Sequence, residues 1–310
     1  MTNYKIIQKR NLWLGFSAAL FVLAVAALSL WGFKFGIDFT GGSLLEVRFA
    51  TDRPTVTQVE DAVKNDAAAQ LTGLVVQPVG VTNMVLRFQD TTEEKHSAAL
   101  ATLEKLAGSL NKDKQAPLIE EIRFDSVGPS IGDELKTKSV YAIFFVLIGI
   151  LIYISYAFRK VSKPVASWKY GSAALIALVH DAIITLGVFA LLGKFQGVEI
   201  NTPFVAAILT VIGYSVHDTI VVFDRIRENL PKSSEDFEGT VNVSLNQTIV
   251  RSLNTSLTVI FTLLAVLIFG GASIRPFALA LTIGIAIGTY SSIFVAPPLL
   301  VFWEKMRRSA

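Results

Sequence analysis

His217 and Asp218 stand side by side near the inner end of an otherwise apolar stretch from Pro203 to Phe223. An aspartate costs roughly 2.5 to 3.5 kcal/mol at the centre of a membrane helix and less toward its ends, so a carboxyl group inside such a stretch marks a candidate functional site. The stretch runs out into the charged sequence Asp224-Arg225-Ile226-Arg227-Glu228-Asn229. A second dipeptide, His180-Asp181, repeats the pattern in the middle of the preceding apolar run. Burial disfavours an ionised carboxylate and a nearby cation restores it, so a buried aspartate beside a cation is suited to binding and releasing protons. Arg251 is the candidate cation. Asp218 lies five residues, about 8 Å, before the inner end of its stretch, and Arg251 opens the next one from the same side. Histidine titrates in the physiological range, so Asp218, Arg251, Asp181 and His217 are the expected members of a proton relay. The competing reading is a structural polar lock between helices. Asp224, Arg225 and Arg227 read as an interfacial charge cluster rather than as relay groups.

The elements that must position these groups are membrane helices. Hydrophobic residues make up 52% of the 310 residues and charged ones 17%, too apolar a balance for an ordinary soluble domain of this size. Six segments, near 12–33, 139–158, 170–192, 203–223, 253–272 and 277–303, are long enough to span a hydrocarbon core of about 30 Å. Lys5, Lys9 and Arg10 precede the first of them and Ala24-Val25-Ala26 offers a cleavage-like site, as in a signal peptide. That run continues to Phe33 and five more follow, so an uncleaved helix is the expectation. Lysine and arginine should be enriched in cytoplasmic connections. An inside N-terminus places Lys5, Lys9, Arg10, Arg159, Lys160, Lys163, Lys169, Arg225, Arg227, Lys232, Arg251, Lys305, Arg307 and Arg308 on that side, and leaves only Lys194 and Arg275 in short external loops. Both termini are then cytoplasmic in a multi-pass cell-membrane protein. Residues 1–33 hold the N-terminus and first span, 34–138 an external domain, and 139–310 spans two to six with a cytoplasmic connection at 224–252. The net charge of +3 follows topology rather than forming a patch, which argues against nucleic acid. The absence of cysteine excludes disulfides, thiolate metal sites and cysteine nucleophiles.

The external segment reads in order as strand, helix, two strands, helix and strand. Leu45, Val47 and Phe49 alternate with Leu44, Glu46 and Arg48 over Ser43 to Phe49. Thr55 with Gln58 has capping-box spacing for a helix to about Asp66. Gly73 to Val79 and Met84 to Phe88 follow as strands about a turn, and Thr91 with Glu94 opens a second helix whose Leu100, Leu103, Leu106 and Leu110 form one stripe. Leu118 to Phe124 closes the pattern. The order βαββαβ is that of a ferredoxin-like sandwich and carries no visible enzyme site. His96, amid Glu93, Glu94 and Lys95, reads as a solvated surface residue.

Four motifs then point the same way. Gly36-Ile37-Asp38-Phe39-Thr40-Gly41-Gly42-Ser43 follows the first span and Val127-Gly128-Pro129-Ser130-Ile131-Gly132 precedes the second. Tyr214 to Asn229 and Asn246-Gln247-Thr248-Ile249-Val250-Arg251-Ser252 complete the set. Glycines at a membrane exit can simply permit a tight turn. Together, over nearly the whole chain, these motifs resemble the SecD/SecF family of protein-export membrane subunits, and the single modest external domain resembles its SecF branch. Val250 and Ser252 beside Arg251 depart mildly from the family pattern. The resemblance implies a half of a resistance-nodulation-division unit, with SecD as obligate counterpart. It further implies the SecYEG channel, YajC, a translocating preprotein and membrane lipids as partners, and no nucleic acid. It makes Asp218 and Arg251 proton-passage residues and Gly36, Asp38, Gly41, Gly42, Gly128 and Pro129 a signature at the domain hinge. Gly284 and Gly288, extended by Ala280, form a GxxxG face expected to pack within the chain.

The expected function is use of the proton-motive force, with SecD, in the late stages of preprotein export. The alternatives are half of a proton-coupled exporter of lipid or hydrophobic small molecules, and a non-transporting scaffold for the channel. Zinc is disfavoured because adjacent His and Asp side chains leave a helix in different directions and no cysteine assists. No GxxxxGK[ST] loop is present for ATP, and neither an enzyme nor a cofactor is expected.

Overall fold

Leu45, Val47 and Phe49, the alternating set, are at most 2% exposed in a computed structural model that describes residues 4–50, 53–89, 92–110, 118–158, 166–271 and 274–309. The chain divides into two units, one of the residues up to Lys34 and from Ser139 onward, the other of Phe35 to Lys138. In chain order the first apolar run becomes helix α1 (Arg10–Trp31), after a 3-10 turn at Ile7–Lys9. The sheet unit follows as α2 (Ile37–Thr40), β1 (Gly42–Phe49), α3 (Val56–Asn65), β2 (Val75–Val79), β3 (Asn83–Phe88), α4 (Glu93–Leu110) and β4 (Ile119–Val127). All pairings are antiparallel in the order β2-β3-β1-β4, the ferredoxin-like arrangement.

The buried side of this sheet packs Leu45, Val47, Met84, Leu86 and Phe88 against Val59 and Val63 of α3 and Ala99, Leu103 and Ala107 of α4. The capping box forms, with the Gln58 amide donating to Thr55 Oγ1 at 3.2 Å and the Thr55 amide to Gln58 Oε1 at 2.8 Å. The matching expectation at Thr91 lies outside the described residues. Strand β4 runs past Phe124 because Asp125, Ser126 and Val127 pair with Leu44, Ser43 and Gly42.

One expectation fails here. His96 is 8% exposed, with Nδ1 2.9 Å from Glu93 Oε1, Nε2 3.2 Å from Glu121 Oε2 and its ring stacked 3.8 Å from that of Phe124. The buried face of α4 is His96, Ala99, Thr102, Leu103 and Ala107, and Leu110 at the end of the leucine stripe is 44% exposed. Leu103 is buried and Leu100 and Leu106 pack against the core, so the stripe holds for three of its four leucines, while His96, Ala99, Thr102 and Ala107 complete the inner face.

The same strand register joins two of the sequence motifs. Pairing of Gly42 with Val127 puts Gly128-Pro129 beside Gly41. Gly41 has φ 71° and ψ 170°, a region open essentially to glycine alone, and a Cβ there would lie 2.8 Å from Pro129 Cα. At Gly42, φ is 114° and a Cβ would meet the Phe88 carbonyl oxygen at 2.6 Å. The glycine pair therefore serves a close backbone crossing as well as a turn.

The remaining helices are α5 (Pro129–Ala157), α6 (Ser167–Gln196), α7 (Thr202–Asn229), α8 (Phe237–Phe269), α9 (Arg275–Phe294) and α10 (Ala296–Ser309). Among the described residues six helical segments are long and apolar enough to cross a membrane, with α9 and α10 sharing the last. The chain is a multi-pass helical membrane protein. The last span was expected as one helix over 277–303, but it breaks at Val295, because Pro297 lacks an amide hydrogen and its ring would strike the carbonyl four residues back. The connection expected at 224–252 is mostly helix. Asp224 pairs with Arg227 at 2.7 Å and Arg225 with Glu228 at 2.9 Å, which carries α7 to Asn229, and the Asp236 carboxylate accepts from the Gly239 amide at 2.8 Å to start α8 early. Arg159, Lys160 and Lys163 lie outside the described residues, as do the side chains of Arg307 and Arg308.

The start of the chain is tied to α8. The amides of Ile6 and Ile7 donate to Asn242 Oδ1 at 3.0 and 3.2 Å, and Glu238 accepts from Arg10 at 2.6 Å and from Lys305 at 2.5 Å.

Two expectations follow for stability. Gly41→Ala should destabilise the sheet unit by about 1 to 3 kcal/mol from backbone strain alone, read as faster limited proteolysis of that unit in the full chain. Gly15→Ala, whose Cβ meets nothing within 4 Å, should leave the rate unchanged. Asp66 accepts from Thr102 Oγ1 at 2.8 Å and from the Ala68 amide at 3.0 Å, which hold its carboxyl below the usual carboxylate range. A lowered native pKa means a contribution present above the unfolded value of about 3.9 and lost as pH falls through the native one. Thr102→Val should therefore shorten the proteolytic lifetime at pH 7, and the gap from the parent should narrow below about pH 4.

Candidate functional site: a buried seam of carboxylates and hydroxyls

Small residues let α7 and α9 approach. Gly284 faces the Val211 side chain where a Cβ would collide, and a Cβ on Gly288 would lie 2.9 Å from Ser215 Cβ. The GxxxG face thus packs inside this unit. That approach brings hydroxyl groups of both helices to Asp181 on α6. Asp181 is 1% exposed; its Oδ2 accepts from Ser215 Oγ at 2.5 Å and from Ser291 Oγ at 2.6 Å, while Oδ1 lies 2.9 Å from His180 Nδ1. Neighbouring His and Asp side chains were expected to diverge, yet here the imidazole folds back along the helix and meets the carboxylate.

At the second dipeptide the side chains do diverge. Asp218 is 3% exposed while His217 is on the exposed surface of α7. Asp218 Oδ2 accepts from Ser256 Oγ of α8 at 3.4 Å, and Ser256 Oγ is 2.6 Å from Thr289 Oγ1 of α9. Arg251 and His217 act on Asp218 through space, whereas its hydrogen-bond donor is Ser256 of α8. Among the described residues no ion pair within 4.0 Å joins Asp218 to Arg251. The residues that α8 turns toward Asp218 are Ser252 and Ser256, one turn apart and both buried, and Arg251 is one residue, about 100°, away from that line and exposed.

Two carboxyl groups on adjacent helices therefore sit in the interior of the bundle, one held by Ser215 and the other carried three positions further along α7 at Asp218. An ionised group buried among hydroxyls in a membrane interior carries a large desolvation cost, and proton uptake is the smallest change that removes it. Among the described residues no three His, Asp or Glu side chains converge as a metal site. Gly36 caps the short α2 that contains Asp38, and Gly41, Gly42, Gly128 and Pro129 belong to the backbone crossing of the sheet unit. Asp224, Arg225 and Arg227 have local partners at the end of α7, and Gln247 bridges Arg225 and Asn229 at 2.6 and 2.9 Å. Sequence reasoning gave no role to Ser215, Ser252, Ser256, Thr289 or Ser291. Their signal is hydroxyls at one-turn spacing, as in Ser252 and Ser256, inside apolar spans.

Ser291→Ala should lower stability by about 1 to 3 kcal/mol, because Asp181 keeps its burial and loses a donor. The check is the thermal unfolding midpoint in detergent, with Ser292→Ala as control, since Ser292 Oγ donates only within its own helix, to the Thr289 carbonyl at 2.9 Å.

Known proteins share this architecture. Residues 107–306 match the family model for the protein export membrane protein SecD/SecF C-terminal region, and residues 32–52 match the SecD/SecF GG motif. The SecF translocase subunit of Thermobaculum terrenum is 46% identical over 96% of this chain and 93% of its own length, and that of Anaerolinea thermophila 37% identical over 96% and 94%. The crystal structure of SecDF from Thermus thermophilus, a translocon-associated membrane protein, superposes with a TM-score of 0.80 at 32% identity, covering 98% of this chain. A SecDF structure in a super-membrane-facing form gives 0.69 at 31% identity. This chain spans about two fifths of those SecDF chains, 39% and 40%. By family model, by relatives of its own length and by fold, the chain belongs to the SecF branch of the SecD/SecF protein-export family.

Proposed function

We propose that this translocase subunit works with SecD, in the cytoplasmic membrane, as a proton-driven unit that assists the late stages of preprotein export through SecYEG. The observation that carries the reading is Asp218, 3% exposed within a membrane span and hydrogen-bonded by the Ser256 hydroxyl rather than by a cation. Such a carboxyl group has a reason to bind a proton inside the membrane and, with Arg251 acting on it through space, a reason to release one. Asp181 and its two serines extend the seam toward the neighbouring helix. Two points support a SecD counterpart. SecDF chains hold this architecture as about two fifths of their length, and paired repeats are the usual basis of such transporters. The distribution of basic residues supports cytoplasmic termini and an external sheet unit.

One charge falling through about 100 mV releases about 2.3 kcal/mol, whereas moving a two-state equilibrium from 1:99 to 99:1 takes about 5.5 kcal/mol. Each large movement of the external unit therefore draws on more than one proton, or on a proton and a pH gradient.

The test is preprotein release by vesicles containing the complex with SecD, comparing the parent with Asp218→Asn while Na⁺ is varied. Asp218→Asn should assemble and lose the gradient-dependent part of release, and Na⁺ should not change the result. A variant complex that assembles and still exports at the normal gradient-dependent rate would mean that Asp218 only fastens helices.

A further inference from the structure

A crevice of about 540 Å³ opens between α1, α6 and the start of α10, away from Asp218 and the α8 face. Its walls are Leu14, Ala18 and Phe21 of α1, Val179 of α6, and Leu299 and Phe302 of α10. Its rim carries Val22 at 64%, Ile176 at 43% and Phe302 at 44% exposure, so the mouth faces hydrocarbon rather than water. Volumes of this order hold drug-sized ligands, usually in an apolar lining with a few fixed polar groups.

The polar group here is His180. The side chain lines the crevice and is 7% exposed. Nδ1 is engaged by Asp181, and Nε2 is buried with no hydrogen-bond partner among the described residues. Two hydroxyl donors occupy Oδ2 of Asp181, which leaves Oδ1 to face His180 Nδ1. With the ring hydrogen on Nδ1, directed at Oδ1, Nε2 is left as an acceptor. An unpaired acceptor in a dry wall selects a ligand that brings an O–H or N–H donor.

Depth restricts the ligand further. His180 is thirteen residues along α6 from Ser167, about 20 Å at 1.5 Å per residue, which is inside the hydrocarbon layer. A charged headgroup is excluded at that depth by its desolvation cost. The other polar side chain in the wall, Ser17, already pairs with Tyr290 Oη at 3.0 Å. The aromatic surfaces of Phe21, whose ring lies parallel to that of His180 within 8°, and of Phe302 favour a flat apolar body.

We infer that the α1–α6–α10 crevice is a binding site for a small neutral lipophile bearing a single hydroxyl donor, entered from the bilayer, with His180 Nε2 as the acceptor that fixes its orientation. Because His180 also holds Asp181, an occupant there touches the outer end of the carboxylate and hydroxyl seam.

The experiment photolabels the full chain in lipid nanodiscs with a diazirine-bearing alkylphenol, its O-methyl ether, and the matching carboxylic acid. The phenol should label the α1 and α6 peptides that border the crevice about two- to tenfold more than the ether, the range expected of one neutral hydrogen bond. His180→Phe should erase that preference, His180→Gln should restore part of it through its amide oxygen, and Ala18→Trp should block both probes by filling the space. Equal labelling by phenol and ether would make the crevice a place for lipid chains only and overturn the proposal. So would a phenol preference that survives His180→Phe, or stronger labelling by the acid, which would indicate a charged imidazolium. The comparison of probes on the parent chain decides the matter even if a variant fails to fold.

Discussion

The close approach of α7 and α9 is the constraint on which the helical unit depends. In lipid there is little hydrophobic reward for bringing two apolar helices together, so contact rests on side chains small enough to let backbones meet. Gly284 beneath Val211 and Gly288 beneath Ser215 supply that contact. The polar chemistry follows from it. Ser215 and Ser291 reach one oxygen of Asp181 from two helices, and Thr289 reaches Ser256, which reaches Asp218. A larger residue at either glycine would separate donors and acceptors that are all buried at once. Packing and polar satisfaction are therefore a single design problem in this bundle, and neither can be altered without the other.

Much of this was legible beforehand, and the reasons differ by region. Strand β1, the order of the sheet unit and the Thr55 cap were readable because each depends on local alternation or a fixed spacing. The six spans were readable because the bilayer sets their length. Their ends were not, since the ion pairs of Asp224 to Glu228 and the cap at Asp236 extend α7 and α8 into stretches that look like charged loop. His96 was misread because the inner face of α4 is completed by small and polar residues that a search for leucines passes over. Asp181 and Asp218 announce themselves by charge, whereas Ser215, Ser256 and Ser291 are ordinary residues until three helices converge. Arg251 shows a subtler limit. Depth along the membrane could be counted from the sequence, but rotation about α8 could not, and rotation puts Ser252 and Ser256 rather than Arg251 on the inward line.

The sheet unit solves a different problem with similar means. Its core is conventional, with apolar faces of two helices against a four-stranded sheet. The unusual part is the crossing of Gly41 with Pro129, where the register of β1 on β4 brings the first and last backbone segments of the unit together. Entry and exit are thus fixed by main-chain geometry, which tolerates no side chain, rather than by an exchangeable pair of contacts.

The tie between the chain's beginning and α8 has a meaning in time as well as in space. Ile6 and Ile7 are bonded to Asn242, some 235 residues later, and Arg10 to Glu238. At about 5 to 20 residues per second, a ribosome needs on the order of ten to fifty seconds to make that partner after making the first helix. The opening segment must spend that interval with two main-chain amides and a guanidinium waiting for α8. Completion of the bundle is then reported back to its first residues, and a chain that stalls before its fifth span would be recognisable by an unfastened N-terminus.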